Sequence, residues 1–134
     1  MKAVVTRVTE ASVTIEETIH GKIETGFLVL LGVGSDDTEE DAMNLADKVC
    51  GVRVFEDESG KMNRNLEQVN GELLVVSQFT LYADLKSRRP GFSGAAKPDA
   101  ALPLYERFMS ACMDRGFHVE HGEFGADMKV ASVN

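Results

Sequence analysis

The chain has 134 residues, a length that fits one domain able to bury about two-thirds of the surface of its unfolded chain. It is 43% hydrophobic and 27% charged, as ordinary globular proteins are, and no apolar run approaches the roughly 20 residues that a membrane span requires. Its formal net charge of −8 argues against a general nucleic-acid binder, because such proteins carry a basic field over their surface. We therefore predict a single domain over residues 1–134, with no membrane partner.

The first quarter of the chain is rich in strand patterns. The N-terminus lacks the apolar core and small-residue cleavage site of a signal peptide, so we expect the chain to stay in the cytoplasm. Alternating and continuous apolar patterns predict strands over residues 1–8, 11–16, 19–24 and 26–34. On the first of these strands, Arg7 points outward, where it either forms a surface ion pair or reaches a ligand.

Two helices are predicted, each with clear signals at its ends. The first begins after Thr38, a favourable N-cap that is followed by three acidic residues, and it ends at Gly51. The second begins at Pro98 and ends at Gly116. Each helix has one apolar face, formed in the first by Ala42, Leu45, Ala46 and Val49 and in the second by Leu104, Phe108, Ala111 and Cys112.

The two cysteines lie on these helices. Cys50 and Cys112 each fall on the apolar face of a predicted helix. In a reducing compartment they are core thiols, and a disulfide between them is the alternative. No Cys and His residues have the spacing of metal ligands, so we predict no metal and no cofactor.

The most informative stretch is residues 72–81, which follows the turn dipeptide Asn70-Gly71. Its nearly unbroken apolar run predicts a strand covered on both faces, and side-chain alternation puts Gln78 and Thr80 on one face, Ser77 and Phe79 on the other. Buried polar groups need hydrogen-bond partners. Ser77, Gln78 and Thr80 therefore either bond to neighbouring backbone or form the floor of a ligand site.

A basic loop follows this strand. Residues 86–94 contain a proline and two glycines, which end regular structure, together with the densest positive charge in the chain. Lys86, Arg88 and Arg89, with Lys97 beyond the loop, either meet a few phosphates or are simply solvated. Phosphate contacts there would give weak, strongly salt-dependent binding to nucleic acid.

The order of the predicted elements indicates the fold class. Further strands are predicted over residues 52–55, 118–120 and 128–133, and residues 61–69 are expected to be irregular. The resulting order, β-β-β-β-α-β-β-α-β-β, predicts an α/β fold: a mixed, layered or curled sheet with two helices packed on it.

Several stretches together resemble the D-aminoacyl-tRNA deacylase family, whose members remove D-amino acids wrongly attached to tRNA. The resemblance runs from end to end and is more specific than any single motif. The matching stretches are residues 1–14, 30–33, 53–63, the Ser77-Gln78-Phe79-Thr80-Leu81 run, Arg89-Pro90 with Phe92, residues 124–128 and Val133-Asn134. The family's chain continues beyond this asparagine into a Gly-Pro segment that screens out L-amino acids, so we expect the sequence to be a truncated form.

The resemblance implies a homodimer with active sites near the subunit interface and no other protein partner. It implies that Ser77, Gln78, Phe79 and Thr80 line the pocket for the aminoacylated 3′ end of tRNA, with Phe124 and Met128 completing the pocket. We assign Arg7 to the same substrate-binding set, and charge assigns Lys86, Arg88 and Arg89 to contacts with the acceptor stem.

The resemblance further implies hydrolysis of the ester in D-aminoacyl-tRNA, and of glycyl-tRNA mischarged on tRNA(Ala). The sequence contains no convincing Ser-His-Asp set, so two mechanisms remain. In the first mechanism, Thr80 is a nucleophile that forms an acyl-enzyme. In the second, which we favour, the protein positions the ester and supplies backbone N–H groups, while the substrate's 2′-hydroxyl assists water. The rival functions are a non-catalytic module for tRNA 3′ ends and a hydrolase of small D-amino acid esters.

Overall fold

A computed structural model describes residues 1–134 and contains nine strands and two α-helices. The helices are α1 (Glu39–Gly51) and α2 (Pro98–Asp114). The strands are β1 (Lys2–Val8), β2 (Glu10–Ile15), β3 (Thr18–Ile23), β4 (Gly26–Gly32), β5 (Phe55–Glu56), β6 (Met62–Arg64), β7 (Glu72–Ser77), β8 (Val119–His121) and β9 (Lys129–Val133). None of the helices is long and apolar enough to cross a membrane.

The strands form two main sheets. One has four strands in the order β1-β4-β7-β8, and the other has three in the order β3-β2-β9. In the larger sheet β1 runs antiparallel to β4, whereas β4, β7 and β8 are parallel to one another, so this sheet is mixed. The structure thus confirms the predicted α/β fold of a mixed, layered sheet with two helices.

The larger sheet is the middle layer of the molecule. Alternate side chains of β4 and β7 enter two different cores, as the period of two in a strand requires. Phe27, Val29, Leu31, Leu73 and Val75 pack in the core that contains α1 and α2, while Leu28, Leu74 and Val76 pack in the core that contains β2 and β3. The prediction that residues 72–77 form a strand covered on both faces is therefore confirmed.

Both helices begin as their sequences predict. The side chain of Thr38 accepts a hydrogen bond from the Asp41 N–H, and the Asp41 carboxylate accepts one from the Thr38 N–H, which completes a capping box. These bonds hold the pKa of the Asp41 carboxyl below its usual value. Helix α2 begins with Pro98 at its first position, where the missing N–H costs nothing.

The predicted strand over residues 72–81 is wrong at its end. Strand β7 stops at Ser77, and Phe79–Tyr82 forms a short 3-10 helix. The last residue of β7 pairs with Leu31, and β4 ends one residue later, so the ladder has no partner to continue along. The expectation that Gln78 and Thr80 share one strand face is therefore wrong as well.

A second difference concerns residues 52–64. The strand predicted over residues 52–55 is reduced to Phe55–Glu56, and Met62–Arg64, expected to be irregular, pairs with it. The carboxylate of Asp57 explains the pairing, because it accepts hydrogen bonds from the N–H groups of Ser59 and Lys61 and so closes the turn between the two strands.

The two cysteines meet in the core between α1 and α2. Cys50 and Cys112 are free buried thiols, and their sulfur atoms lie 3.7 Å apart. The contact with Cys50, together with burial, raises the pKa of the Cys112 thiol well above its usual value. Cys112 is therefore a protonated, apolar packing group at neutral pH.

Candidate functional site

A largely apolar cavity opens at the carboxyl end of β7. Its volume is about 590 Å³, within the range of small-molecule sites, which is roughly 300–1,000 Å³. We call it the β7 cavity; its lining is Leu31, Val33, Val76, Ser77, Gln78, Phe79, Phe92, Ala95, Ala96, Lys97, Pro98, Ala101, Tyr105, Phe124, Gly125, Ala126, Met128 and Val130.

A larger groove lies at the opposite end of β7, beside Glu72 and His118, with a volume of about 810 Å³. It is an open, polar groove with two hydrophobic residues among the eleven that line it. Ligands of open α/β sheets bind at the carboxyl ends of the strands, and bound organic groups need apolar walls. We therefore identify the β7 cavity as the candidate site.

The segment that leaves β7 forms one wall of this cavity. Ser77, Gln78 and Phe79 all line it, whereas Thr80 does not. The Gln78 N–H donates to the Leu31 carbonyl at 2.8 Å, which fixes the segment to β4, and the Gln78 side-chain amide donates to the Thr80 hydroxyl. The N–H groups of Phe79 and Thr80 donate to no other backbone group. These two consecutive donors are free, and the first of them belongs to Phe79, which lines the cavity.

Two glycines of β4 and its extension let this segment pack closely. A Cβ atom on Gly34 would stand 2.9 Å from the Tyr82 ring, and one on Gly32 would stand 3.0 Å from the Gln78 carbonyl oxygen. A Cβ atom on Gly34 would force the ring or the backbone to move, and one on Gly32 would push the Gln78 carbonyl away by a few tenths of an ångström. Glycine at both positions therefore sets where the 3-10 helix lies.

Phe124 and Met128 line the same cavity as Ser77, Gln78 and Phe79. The ring of Phe124 packs against that of Tyr105, with 6.1 Å between their centroids. The Tyr105 hydroxyl donates to the Val75 carbonyl at 2.8 Å, and burial raises its pKa. Tyr105 thereby ties α2 to β7 two residues before Ser77.

Aromatic rings stand at the rim. Phe79 is 58% exposed, although its ring meets that of Phe92 edge to face with 5.0 Å between the centroids. An exposed apolar pair beside a cavity provides a surface on which a flat group can stack.

Arg7 lies elsewhere. Its guanidinium donates to the Val54 carbonyl at 2.6 Å, and it lines a separate groove beside Val52 and Met62. The structure therefore does not bring Arg7 together with Ser77, Gln78 and Phe79.

The basic loop is exposed, and Phe92 is the one residue of the loop that lines the cavity. Its two ends are joined by backbone hydrogen bonds between Asp84 and Gly91, at 2.7 and 2.9 Å. The Lys86 ammonium lies 3.7 Å from the Asp84 carboxylate, while Arg88 and Arg89 form no ion pair. These two guanidinium groups are available to an anionic partner.

Tyr105 was not predicted as a cavity residue, and Lys97 was predicted as a candidate phosphate contact but not as part of the cavity. Tyr105 precedes Phe108 by three positions and Cys112 by seven, so helical periodicity could have placed it on the buried face of α2. No sequence pattern indicates that Lys97 borders the cavity, because its place there depends on where α2 packs against the sheet. No group of three or more His, Cys, Asp or Glu side chains is arranged to hold a metal ion.

We expect Tyr105→Phe to destabilise the fold by about 1 kcal/mol, because the buried Val75 carbonyl loses its hydroxyl donor. Urea unfolding measures this difference. Tyr82→Phe is the matched control, since the hydroxyl of the chain's other tyrosine is 3.4 Å from its acceptor, Asp37, and should contribute less. Equal losses in the two variants would show that the Tyr105 hydroxyl does not fix β7.

Comparison with known proteins places this chain among enzymes that act on aminoacyl-tRNA. The family profile described as D-Tyr-tRNA(Tyr) deacylase matches residues 4–134, and the chain belongs to this family. A D-aminoacyl-tRNA deacylase of Thermosipho africanus is 56% identical over 135 residues, which cover 100% of this chain and 91% of that protein. One of Thermus aquaticus is 57% identical over 135 residues, which cover 100% of this chain and 89% of that protein. The resemblance read from the sequence is thereby confirmed.

Solved structures show the same fold. A c-Myc DNA unwinding element binding protein superposes with a TM-score of 0.93 at 38% identity, over 100% of this chain and 92% of that chain. A probable eukaryotic D-amino acid tRNA deacylase superposes with a TM-score of 0.85 over 97% of this chain and 91% of that chain. The second is 16% identical, so it supports the fold alone.

Proposed function

We propose that this chain hydrolyses the ester between a D-amino acid and the terminal ribose of tRNA, releasing the free D-amino acid and tRNA. The observation that carries this proposal is the convergence of Ser77, Gln78 and Phe79 with Phe124 and Met128 around one cavity, in a member of the deacylase family. The mostly apolar lining suits an amino-acid side chain and an adenine ring.

Backbone donors supply the chemistry in this proposal. When water attacks the ester carbonyl, negative charge develops on its oxygen, and fixed N–H groups stabilise that charge more than they stabilise the ground state. The N–H groups of Phe79 and Thr80 have no backbone acceptor; Phe79 lines the cavity, and Thr80 is the next residue in the chain. The substrate's own 2′-hydroxyl assists the attacking water, so the protein needs no strong base.

Thr80 fits a supporting role better than that of a nucleophile. Its hydroxyl accepts a hydrogen bond from Gln78 and does not line the cavity, and no histidine or lysine bonds to it. We expect Thr80→Ala to keep most of the single-turnover rate on D-Tyr-tRNA. A loss of more than about a thousandfold, the scale of removing a nucleophile, would contradict this role.

Chirality is read by exclusion in this account. The walls of the cavity reject by clash a substituent that points the wrong way, without gripping the one that is accepted. Such a site accepts many D-amino acids, and it accepts glycine, including glycine mischarged on tRNA(Ala), because glycine has no side chain to exclude.

The basic loop is proposed to meet the acceptor stem. Arg88 and Arg89 are exposed and unpaired, and Lys86 is tied only to Asp84 at the surface. A chain of net charge −8 needs such a local cationic surface to hold a polyanion. The same charge gives no support to a general DNA-binding role, although the name of one structural relative refers to a DNA element.

We also propose that the chain, as one domain, acts as a cytoplasmic homodimer. Strand β1 is at the edge of its sheet, paired on one side by β4 and open on the other, and its Val4 side chain is 46% exposed. Open apolar edge strands invite pairing with a second copy. Light scattering coupled to gel filtration should give twice the 14.6 kDa mass of the chain.

The proposed function is tested by following D-tyrosine release from D-Tyr-tRNA and, in parallel, from D-tyrosine ethyl ester. We expect efficient turnover of the tRNA and poor turnover of the small ester. Binding of D-Tyr-tRNA without release would favour a non-catalytic module for tRNA 3′ ends. Equal efficiency on both substrates would favour a hydrolase of small esters.

A further inference from the structure

Lys97 is the one charged residue among those that line the β7 cavity. Its ammonium group forms no ion pair with any carboxylate of the chain. A lysine that serves only solubility has no reason to border an apolar cavity. A cation in this place, without a partner of its own, is suited to an anionic group that arrives with the ligand.

The backbone that carries Lys97 is firmly held. The Lys97 carbonyl accepts hydrogen bonds from the N–H groups of Ala100 and Ala101, at 3.0 and 2.9 Å, and the adjacent Ala96 N–H donates to the Val33 carbonyl at 2.9 Å. The two bonds to the Lys97 carbonyl form the first turn of α2, and the bond from Ala96 ties the start of this helix to the residue that follows β4. The base of the side chain is therefore fixed relative to Ser77 and Phe79.

The proposed substrate brings one anion to this place. An aminoacyl ester on the terminal ribose carries its reacting carbonyl on one side of the sugar and, on the other, a single phosphodiester that leads to the rest of the tRNA. With the carbonyl at the Phe79 and Thr80 N–H groups, the phosphodiester is the only negative charge of the terminal nucleotide. An ammonium on a flexible stem meets such a group as a point charge.

We propose that Lys97 forms a phosphodiester subsite that positions the terminal nucleotide of the substrate in the β7 cavity. This inference rests on the proposed function. It separates two roles among the cations of this region: Arg88 and Arg89, on the exposed loop, hold the acceptor stem, and Lys97, at the cavity, orients the nucleotide that bears the ester.

The test uses two non-hydrolysable ligands, 3′-deoxy-3′-(D-tyrosylamino)adenosine and its 5′-methyl phosphodiester, which differ by one anionic group. Calorimetry on the full chain should show the phosphodiester binding about five- to tenfold more tightly, the scale of one exposed charge-assisted contact. Lys97→Ala should bind both ligands with the same affinity, Lys97→Arg should keep the preference, and Lys97→Glu should reverse it. Lys22→Ala, on β3 outside the cavity lining, is the matched control and should behave as the wild type.

Salt gives a second readout that needs no variant. The preference of the wild-type chain for the phosphodiester over the nucleoside ligand, which carries the same α-amino group, should shrink as ionic strength rises. A phosphodiester preference that survives in Lys97→Ala, or that is absent in the wild type although both ligands bind, would overturn the subsite and leave the proposed function standing. Failure of the wild type to bind either ligand would overturn both.

Discussion

Replacing Phe79 with proline should lower the single-turnover rate on D-Tyr-tRNA by about a hundred- to a thousandfold, the cost of removing one oxyanion donor. Proline has no N–H, and the Phe79 N–H is one of the two donors assigned to the ester oxygen. The rate of D-tyrosine release at saturating enzyme measures the effect directly.

This substitution suits the backbone at residue 79. Phe79 is the first residue of its 3-10 helix, where proline is favoured, and its N–H makes no backbone hydrogen bond that would be lost. Gln78 before it has φ −145° and ψ 79°, which lies outside the α region that a following proline disfavours. Phe79→Ala is the matched control, because it removes the ring and keeps the N–H. Equal rates for the alanine and proline variants, both folded by circular dichroism, would rule out this donor.

The double substitution Arg88→Glu, Arg89→Glu should lower kcat/KM on D-Tyr-tRNA by about a hundredfold at low salt and leave turnover of D-tyrosine ethyl ester nearly unchanged. Each guanidinium neutralises backbone phosphate, and reversing its charge replaces attraction by repulsion. Neither arginine lines the β7 cavity, so the chemistry on a small ester should not respond.

The matched control reverses two lysines away from this surface. Lys22→Glu with Lys61→Glu gives the same net charge as the arginine double variant, and both lysines are exposed. Its kcat/KM on tRNA should fall only slightly. A fall as large as that of the arginine variant would mean that overall charge, and not the basic loop, governs tRNA binding.

Much of the fold follows from local pattern and was predicted correctly. The start of α1 is indicated by capping residues that lie within four positions of one another. The apolar run of β7 predicts a strand that is covered by a layer on each face. The Ser77-Gln78-Phe79 segment was found from polar residues in an apolar run and from its likeness to a family motif, and the structure puts these three residues in one cavity.

The remaining features depend on neighbours that are distant in sequence. Strand β7 ends where its partner β4 ends, and nothing in the sequence of residues 78–81 indicates that end. The β7 cavity gains Lys97 and Tyr105 only because α2 docks beside β7, and it does not include Arg7, since that side chain turns toward the Val54 carbonyl. Tertiary packing, more than local propensity, decides each of these positions.

The most direct test of the account compares release of D-tyrosine from D-Tyr-tRNA with release of L-tyrosine from L-Tyr-tRNA by the 134-residue chain under single-turnover conditions. We expect rapid release of the D-amino acid and an intact L-ester. Equal release of both would contradict exclusion of L-amino acids by the β7 cavity, and release of neither by the folded chain would contradict the proposed hydrolysis itself.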